Sequence, residues 1–296
     1  MRACIIFNPT ARGDQARRFR ELLQRLAGDC ALRPTAAAGE AVPLATAAVQ
    51  EGFDTIVAAG GDGTVSEVTQ GIGLAPGGLE HTRLALIPLG TINVFARELG
   101  LPRDLRSAWA VFQAGRETRV DLPWVEFGQD QRPQKRFFVQ LAGAGLDARA
   151  VAAVDWQWKK RIGPLAYIAA GLRALQGPQP LVQARCGDQR AAGELVLIGN
   201  GRFYGGSVPM FPEGDLRDGL LELRVLPRVG VSALARFGWA WLWDRSFAVP
   251  GERFLRAAEI TLTCDVAMPF ELDGDNVGLL PARFGVLREA LRVVVP

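Results

Sequence analysis

Lysine is nearly missing from this chain. Only Lys135, Lys159 and Lys160 occur in 296 residues, so 31 of the 34 basic side chains are arginine. Nothing before Lys135 can act as a Walker-A lysine, the GK[ST] of that motif is absent, and a VAIK lysine of the protein-kinase kind is missing too. Any phosphate chemistry must therefore use glycines, backbone amides, arginine and metal. Histidine is rarer still. His81 stands alone, in the loop-like stretch PGGLEHTR, which excludes a two-histidine zinc site. The four cysteines, Cys4, Cys30, Cys186 and Cys264, form no CxxC pair and read as small hydrophobes of a reducing compartment. No window reaches the ~18 apolar residues of a membrane-spanning helix. The N-terminal MRACIIFNPTARG holds too short an apolar run for a signal peptide, so a cytoplasmic location is expected. Charge of one sign is also lacking. The net +3 is too small for bulk nucleic-acid binding, and no nucleic-acid partner is expected.

What remains is an ordinary globular composition, 49% hydrophobic and 22% charged, in a length that suits two domains of about 150 residues each. The first third alternates strands and helices. Apolar runs at Ala3–Phe7, Thr55–Ala59 and Leu84–Pro88 precede helical patterns at 15–27, 40–50, 65–72, 90–99 and 104–113. This predicts an α/β domain with a parallel sheet and helices on both faces. Past Asp121 the pattern changes to short β-like runs at 124–127, 136–141, 181–186, 195–198, 220–226, 254–263 and 291–295, separated by turn signals. They predict an antiparallel β-sandwich or barrel, interrupted by helical insertions near 147–175 and 231–244. The expected domains are 1–122 and 123–296.

The strongest chemical signal is TIVAAGGDGTVSEV, Thr55–Val68, where a strand runs through glycines into a helix. The glycines allow backbone amides to approach phosphate oxygens closely. The helix offers its N–H groups and positive dipole end. Asp62 would repel phosphate, but it could hold magnesium or orient a hydroxyl. IPLGTINVFARELGLP, Ile87–Pro102, repeats the strand–glycine–helix plan, with Thr91 and Asn93 opening the helix. FNPTARG, Phe7–Gly13, ends the first strand, where Asn8, Thr10 and Arg12 could join the same ligand site.

In this order and spacing, NPTARG, GGDGTVSE and PLGTINVFAREL resemble the catalytic domain of the diacylglycerol-kinase and sphingosine-kinase superfamily, most closely the bacterial lipid kinases of the YegS/DgkB type. The similarity continues through GNGRFYGGSVPMFPEGDLRDGLLELRVL and ELDGD, so it covers nearly the whole chain. The resemblance implies an N-terminal nucleotide-binding α/β domain and a C-terminal β-sandwich. Carried over, nucleotide contacts fall on Asn8, Pro9, Thr10, Ala11 and Arg12, on Thr35, on Gly61, Asp62, Gly63, Thr64, Val65, Ser66 and Glu67, and on Thr91. The DGE motif of the relatives matches Asp273-Gly274-Asp275, with Asp in place of the final Glu. This makes Asp275, with Asp273, the expected catalytic base. Two further departures, Ser66 for Asn and Val94 for Asp, lie near the expected substrate side.

Asp215 and Asp218 sit three apart in EGDLRDG. The turn reads either as a magnesium or calcium site or as a solvated acidic turn. The resemblance implies a structural Mg2+ on Asp215, Asp218 and the Leu220 carbonyl. Trp156-Gln157-Trp158-Lys159-Lys160-Arg161 mixes indoles with positive charge and suits an anionic membrane surface. Trp239, Trp241 and Trp243 lie on an apolar helix and read as core or interdomain packing. Together these features lead us to expect an ATP- and Mg2+-dependent kinase of a membrane lipid, most simply of diacylglycerol. It would be peripheral at the inner membrane surface through reversible contact, and a homodimer is compatible with the sequence. Another lipid (a sphingoid base, ceramide or phosphatidylglycerol), a soluble substrate such as NAD, and a non-catalytic nucleotide-binding regulator are the alternatives.

Overall fold

The computed structural model describes residues 2–9, 16–128, 133–146, 148–149, 179–243 and 245–296. They form two compact units, Met1–Leu122 with Leu287–Pro296, and Pro123–Val286. The final residues, read from sequence as part of the second domain, thus group with the first.

The first unit is built on β1 (Ala3–Phe7), β2 (Ala31–Pro34), β3 (Thr55–Gly60) and β4 (Arg83–Pro88), all parallel in the order β2-β1-β3-β4. Strands β1 and β3 are buried at every position, as expected for parallel strands covered on both faces. One face of the sheet, with Ile5, Phe7, Val57, Ala59 and Ile87, packs on Leu23 of α1 (Ala16–Ala27) and on Trp109 and Phe112 of α6 (Leu105–Ala114). Helices α2 (Ala41–Gln50) and α3 (Asp62–Leu74) contact β1 and β3 and each other. Short helices α4 (Gly78–His81) and α5 (Val94–Glu98) flank β4 in sequence. Asp104 caps α6 by accepting the Ser107 N–H at 2.9 Å, and Gly115 in the left-handed region ends that helix.

Two long strands, β5 (Glu117–Phe127) and β18 (Ala282–Val294), contribute residues to both units. In the first, Arg292 and Val293 of β18 pair parallel to β4. The run 291–295 is therefore not a sandwich strand.

The second unit contains β6 (Gln134–Phe137), β7 (Leu141–Gly145), β8 (Val182–Cys186), β9 (Gln189–Gly193), β10 (Leu195–Gly199), the small hairpin β11 (Phe203–Tyr204) and β12 (Val208–Pro209), β13 (Leu221–Leu226), β14 (Arg253–Ala257), β15 (Glu259–Thr263), β16 (Pro269–Leu272) and β17 (Asp275–Leu279). One antiparallel sheet runs β14-β13-β10-β7-β16-β17. In the other, β15 pairs with β8 and with the start of β18, and β9 follows β8. The apolar run 254–263 is thus two strands, β14 and β15, in different sheets. The two sheets enclose one core, in which Phe127 and Phe284 each meet Phe270 edge-on, with ring centroids 5.1 and 5.8 Å apart. Helix α7 (Val231–Trp243) occupies the second expected insertion. Almost all of the first, 147–175, lies outside the described residues. All four cysteines are free, and burial raises the Cys4 thiol to about 11.

Candidate active site

The carboxyl ends of β1 to β4 bring Asn8, Thr35, Gly61 and Gly90 into neighbouring loops. Asn8 donates its N–H to the Ala59 carbonyl at 3.1 Å, Thr35 to Phe7 at 2.9 Å, and Leu89 to Gly60 at 2.8 Å. The loops after β3 and β4 touch backbone to backbone. A Cβ on Gly90 would lie 2.6 Å from the Gly61 Cα. Gly60 has its own packing reason, since a Cβ there would overlap the Thr64 side chain.

Gly63 is different. A Cβ on it meets nothing within 4 Å, and its φ is not in the left-handed region. The protein itself does not demand glycine here; an approaching ligand would. Gly63 sits in the first turn of α3, whose N-terminus carries no side-chain cap. Its backbone N–H groups and positive dipole end suit a phosphate oxygen. Val65 faces the core, while Thr64 and Ser66 are half-buried and Thr91 is exposed. Pro9 follows Asn8 at the end of β1. Thr10, Ala11 and Arg12 lie outside the described residues.

Two of the expected nucleotide residues have other partners. Asp62 turns to the next loop. Its Oδ2 accepts the Asn93 N–H at 2.9 Å and its Oδ1 the Val94 N–H at 2.7 Å. Burial raises this carboxyl above the usual range, and these amides pull the other way. The carboxylate clasps the start of α5 rather than standing open to a metal. Asn93 completes the clasp: at φ 53 its side chain bonds both the N–H and the carbonyl of Gly90. Glu67 accepts the Gly39 and Ala41 N–H groups at 2.8 and 3.0 Å, and so caps α2.

In the second unit, Asp273 and Gly274 form the left-handed turn between β16 and β17, at φ 49 and φ 93. The Asp273 carboxylate accepts the backbone N–H groups of Val139, Gln140 and Leu141 at 3.0, 3.0 and 3.1 Å. It is an anchor. Glu271, fully buried, accepts the Gly274 N–H at 2.6 Å and holds the turn from its other side. Asn200 reinforces the same segment by donating Nδ2–H to the Val139 carbonyl at 3.0 Å. Asp275, the first residue of β17, is exposed. Sequence reasoning missed the supporting roles of Glu271 and Asn200. A polar residue inside an otherwise strand-like or glycine-rich run was the only signal.

The acidic turn is satisfied by protein groups. Asp215 accepts the Arg217 N–H at 3.0 Å and Asp218 the Leu220 N–H at 2.8 Å. Arg256 pairs with Asp218 and, at 3.3 Å, with Glu213. The oxygen donors have the right hardness for magnesium. However, a guanidinium already supplies the positive charge, and among the described residues no three acidic, histidine or cysteine side chains gather into a metal site. An ion at this turn would have to displace Arg256 from Asp218. The Trp156–Arg161 cluster lies outside the described residues. No helix among them is long and apolar enough to cross a membrane.

The diacylglycerol kinase catalytic-domain model matches residues 2–125, and that of the YegS C-terminal NAD kinase beta sandwich-like domain matches residues 140–295. A Bacillus subtilis protein named diacylglycerol kinase is 32% identical, the match covering 100% of this chain and 96% of that protein. One of the same name from Staphylococcus saprophyticus is 28% identical, covering 100% and 95%. A solved structure described as a diacylglycerol kinase of Bacillus anthracis shares the fold at TM-score 0.72 and 21% identity, covering 100% of this chain and 97% of that one.

Proposed function

Because the chain belongs to the diacylglycerol kinase family and carries its YegS-type C-terminal domain, we propose that it phosphorylates the free hydroxyl of diacylglycerol to give phosphatidic acid. The protein is an ATP-dependent lipid kinase; diacylglycerol is the substrate its relatives' names support. The observation that carries nucleotide use is Gly63, an open glycine in the uncapped first turn of α3. The Gly61–Thr64 backbone holds phosphate oxygens, and Asp62 with Asn93 keeps the two glycine loops in register. Mg2+ enters as the MgATP substrate.

In the transfer, the lipid hydroxyl oxygen bonds to the γ-phosphorus as the bond from that phosphorus to the β–γ bridging oxygen breaks, and ADP leaves. The hydroxyl proton passes to a carboxylate. Asp275 is proposed for that role, since Asp273 is committed to three backbone amides. The lipid resides in a bilayer, so the enzyme works in reversible contact with a membrane surface.

The test is transfer of labelled phosphate from ATP across a panel of diacylglycerol, sphingoid base, ceramide, phosphatidylglycerol and NAD. Labelled phosphatidic acid from diacylglycerol alone is the expected product. Preferential labelling of NAD would overturn the lipid reading, and labelling of a different lipid would move the substrate.

A further inference from the structure

Helix α7 has two unlike faces. Ala233 packs in a buried cluster with Leu146, Leu226, Val229 and Val249. Ala240 packs in another with Leu197, Val208, Met210 and Phe211. Phe237 is wedged between Tyr204 and Phe247, with centroids 5.5 and 5.9 Å away and both rings edge-on. These contacts fix the rotation of the helix on its unit. The opposite side carries Val231, Ala235, Trp239 and Trp243 at successive four-residue steps, all exposed, with Val231 at 65%, Trp239 at 53% and Trp243 at 63%. Arg236 lies on the same arc and is anchored by a 2.8 Å bond from Nη1 to the Ala248 carbonyl. The two indoles were expected in core or interdomain packing; they are not in the core, but face outward from a helix whose inner side is already filled.

We propose that this face of α7 docks on an anionic phospholipid surface, the helix lying in the plane of the headgroups. The proposal rests on the lipid-kinase reading, and it names the surface through which that kinase meets its substrate's bilayer. Two observations choose a bilayer over another occupant. First, tryptophan favours the interface between acyl chains and headgroups, where its apolar ring and its N–H are both satisfied. Second, residues 227–251 carry Arg228, Arg236 and Arg245 against the single acid Asp244, an excess of positive charge that complements anionic headgroups.

The experiment is co-sedimentation of the full chain with vesicles of phosphatidylglycerol and phosphatidylcholine, and with phosphatidylcholine alone. The wild type is expected to bind the anionic vesicles more strongly, and less so as salt rises. Trp239→Ser with Trp243→Ser should reduce that binding by roughly tenfold or more, from the loss of two buried rings. Ala235→Trp, which adds an indole to the exposed stripe, should increase it. Both variants should phosphorylate a short-chain, water-dispersed diacylglycerol at the wild-type rate. Inactivity of the wild type on that soluble substrate would strike the kinase reading and leave the vesicle result to stand alone. Unchanged sedimentation of both variants would overturn the surface. So would a wild-type dimer that the double substitution turns into a monomer while vesicle binding persists, because the face would then belong to a second copy.

Discussion

The Asp62 carboxylate and the Asn93 amide are 31 residues apart in the chain and 2.9 Å apart in space. Together with the bond to Val94 at 2.7 Å, this contact ties the GGDGT loop to the GTIN loop. Asp62→Ala leaves two partly buried N–H groups without their acceptor, which costs about 1–3 kcal/mol. It also frees the loops to separate. Turnover should fall on the order of 10²-fold, as misplacement of a bound group does. The melting temperature should fall with it. Normal turnover, or lost turnover at an unchanged melting temperature, would contradict the clasp.

Two glycines in these loops should respond in opposite ways. A methyl at Gly90 meets the Gly61 Cα at 2.6 Å, so Gly90→Ala must push the loops apart and lower stability. A methyl at Gly63 meets nothing, and alanine is the better helix former by roughly 0.8–1.0 kcal/mol in a helix interior. Gly63→Ala should therefore leave the melting temperature equal or higher while raising the KM for ATP. An unchanged KM would remove phosphate from this turn.

The parts of the fold read correctly from sequence were those written in local pattern. β3 is a short apolar run ended by glycine, and the helix after it begins where the run stops. β7, Leu141–Gly145, escaped because LAGAG has neither β-branched or aromatic residues nor an apolar–polar alternation. The run 254–263 hid a change of sheet near Ala257, which adds no turn residue to the pattern. Asp62, Glu67 and Asp273 were legible as acids in motifs, but their acceptor roles depend on amides at 93, 39 and 139–141, and sequence spacing does not encode those distances. For α7 the sequence showed an apolar helix, but not which of its sides is covered.

Glu222 gives a test in pH. It is buried, and desolvation pushes its carboxyl up, against the opposing pull of the Glu213 N–H and of Arg256 and Arg224. In the unfolded chain this group ionises first as pH rises, while the folded form still holds its proton. Stability from this site is therefore complete below the ordinary glutamate pKa and is lost as pH climbs through the raised one. Glu222→Gln removes the titration. The variant should gain stability relative to wild type over that window and then hold a constant difference. Denaturant melts of both proteins from pH 4 to about 8 read the effect directly; a difference that shrinks with pH would reverse the sign.

Asp218 and Arg256 pair at the acidic turn, with side chains 24% and 33% exposed. A half-solvated pair of this kind is worth about 0–1 kcal/mol. Asp218→Ala should thus cost little, and the melting temperature should shift equally with magnesium and with chelator in both proteins. A magnesium-dependent rise in the wild type that the variant loses would restore a resident ion to this turn.

The two aspartates of the β16–β17 hairpin have different surroundings. Asp273 and Asp275 are two residues apart, yet one is committed and the other is exposed. Asp273 receives three backbone N–H groups, the longest at 3.1 Å. In Asp273→Asn the side-chain NH₂ must face one of those donors, so a bond becomes a repulsion and about 1–3 kcal/mol of stability is lost. Asparagine still tolerates the left-handed turn, so the hairpin itself should persist. Asp275→Asn keeps shape and removes basicity. If Asp275 takes the hydroxyl proton, turnover should drop by ~10²–10⁴ with ATP binding retained and the melting temperature held. The two variants are thus told apart by measuring kcat, nucleotide affinity and melting temperature on each. A dead Asp273→Asn of full stability beside an active Asp275→Asn would move the base to Asp273. Two active variants would show that the proton leaves by another route, since no other carboxylate of this hairpin is exposed to receive it: Glu271 is buried and bonded to Gly274 at 2.6 Å.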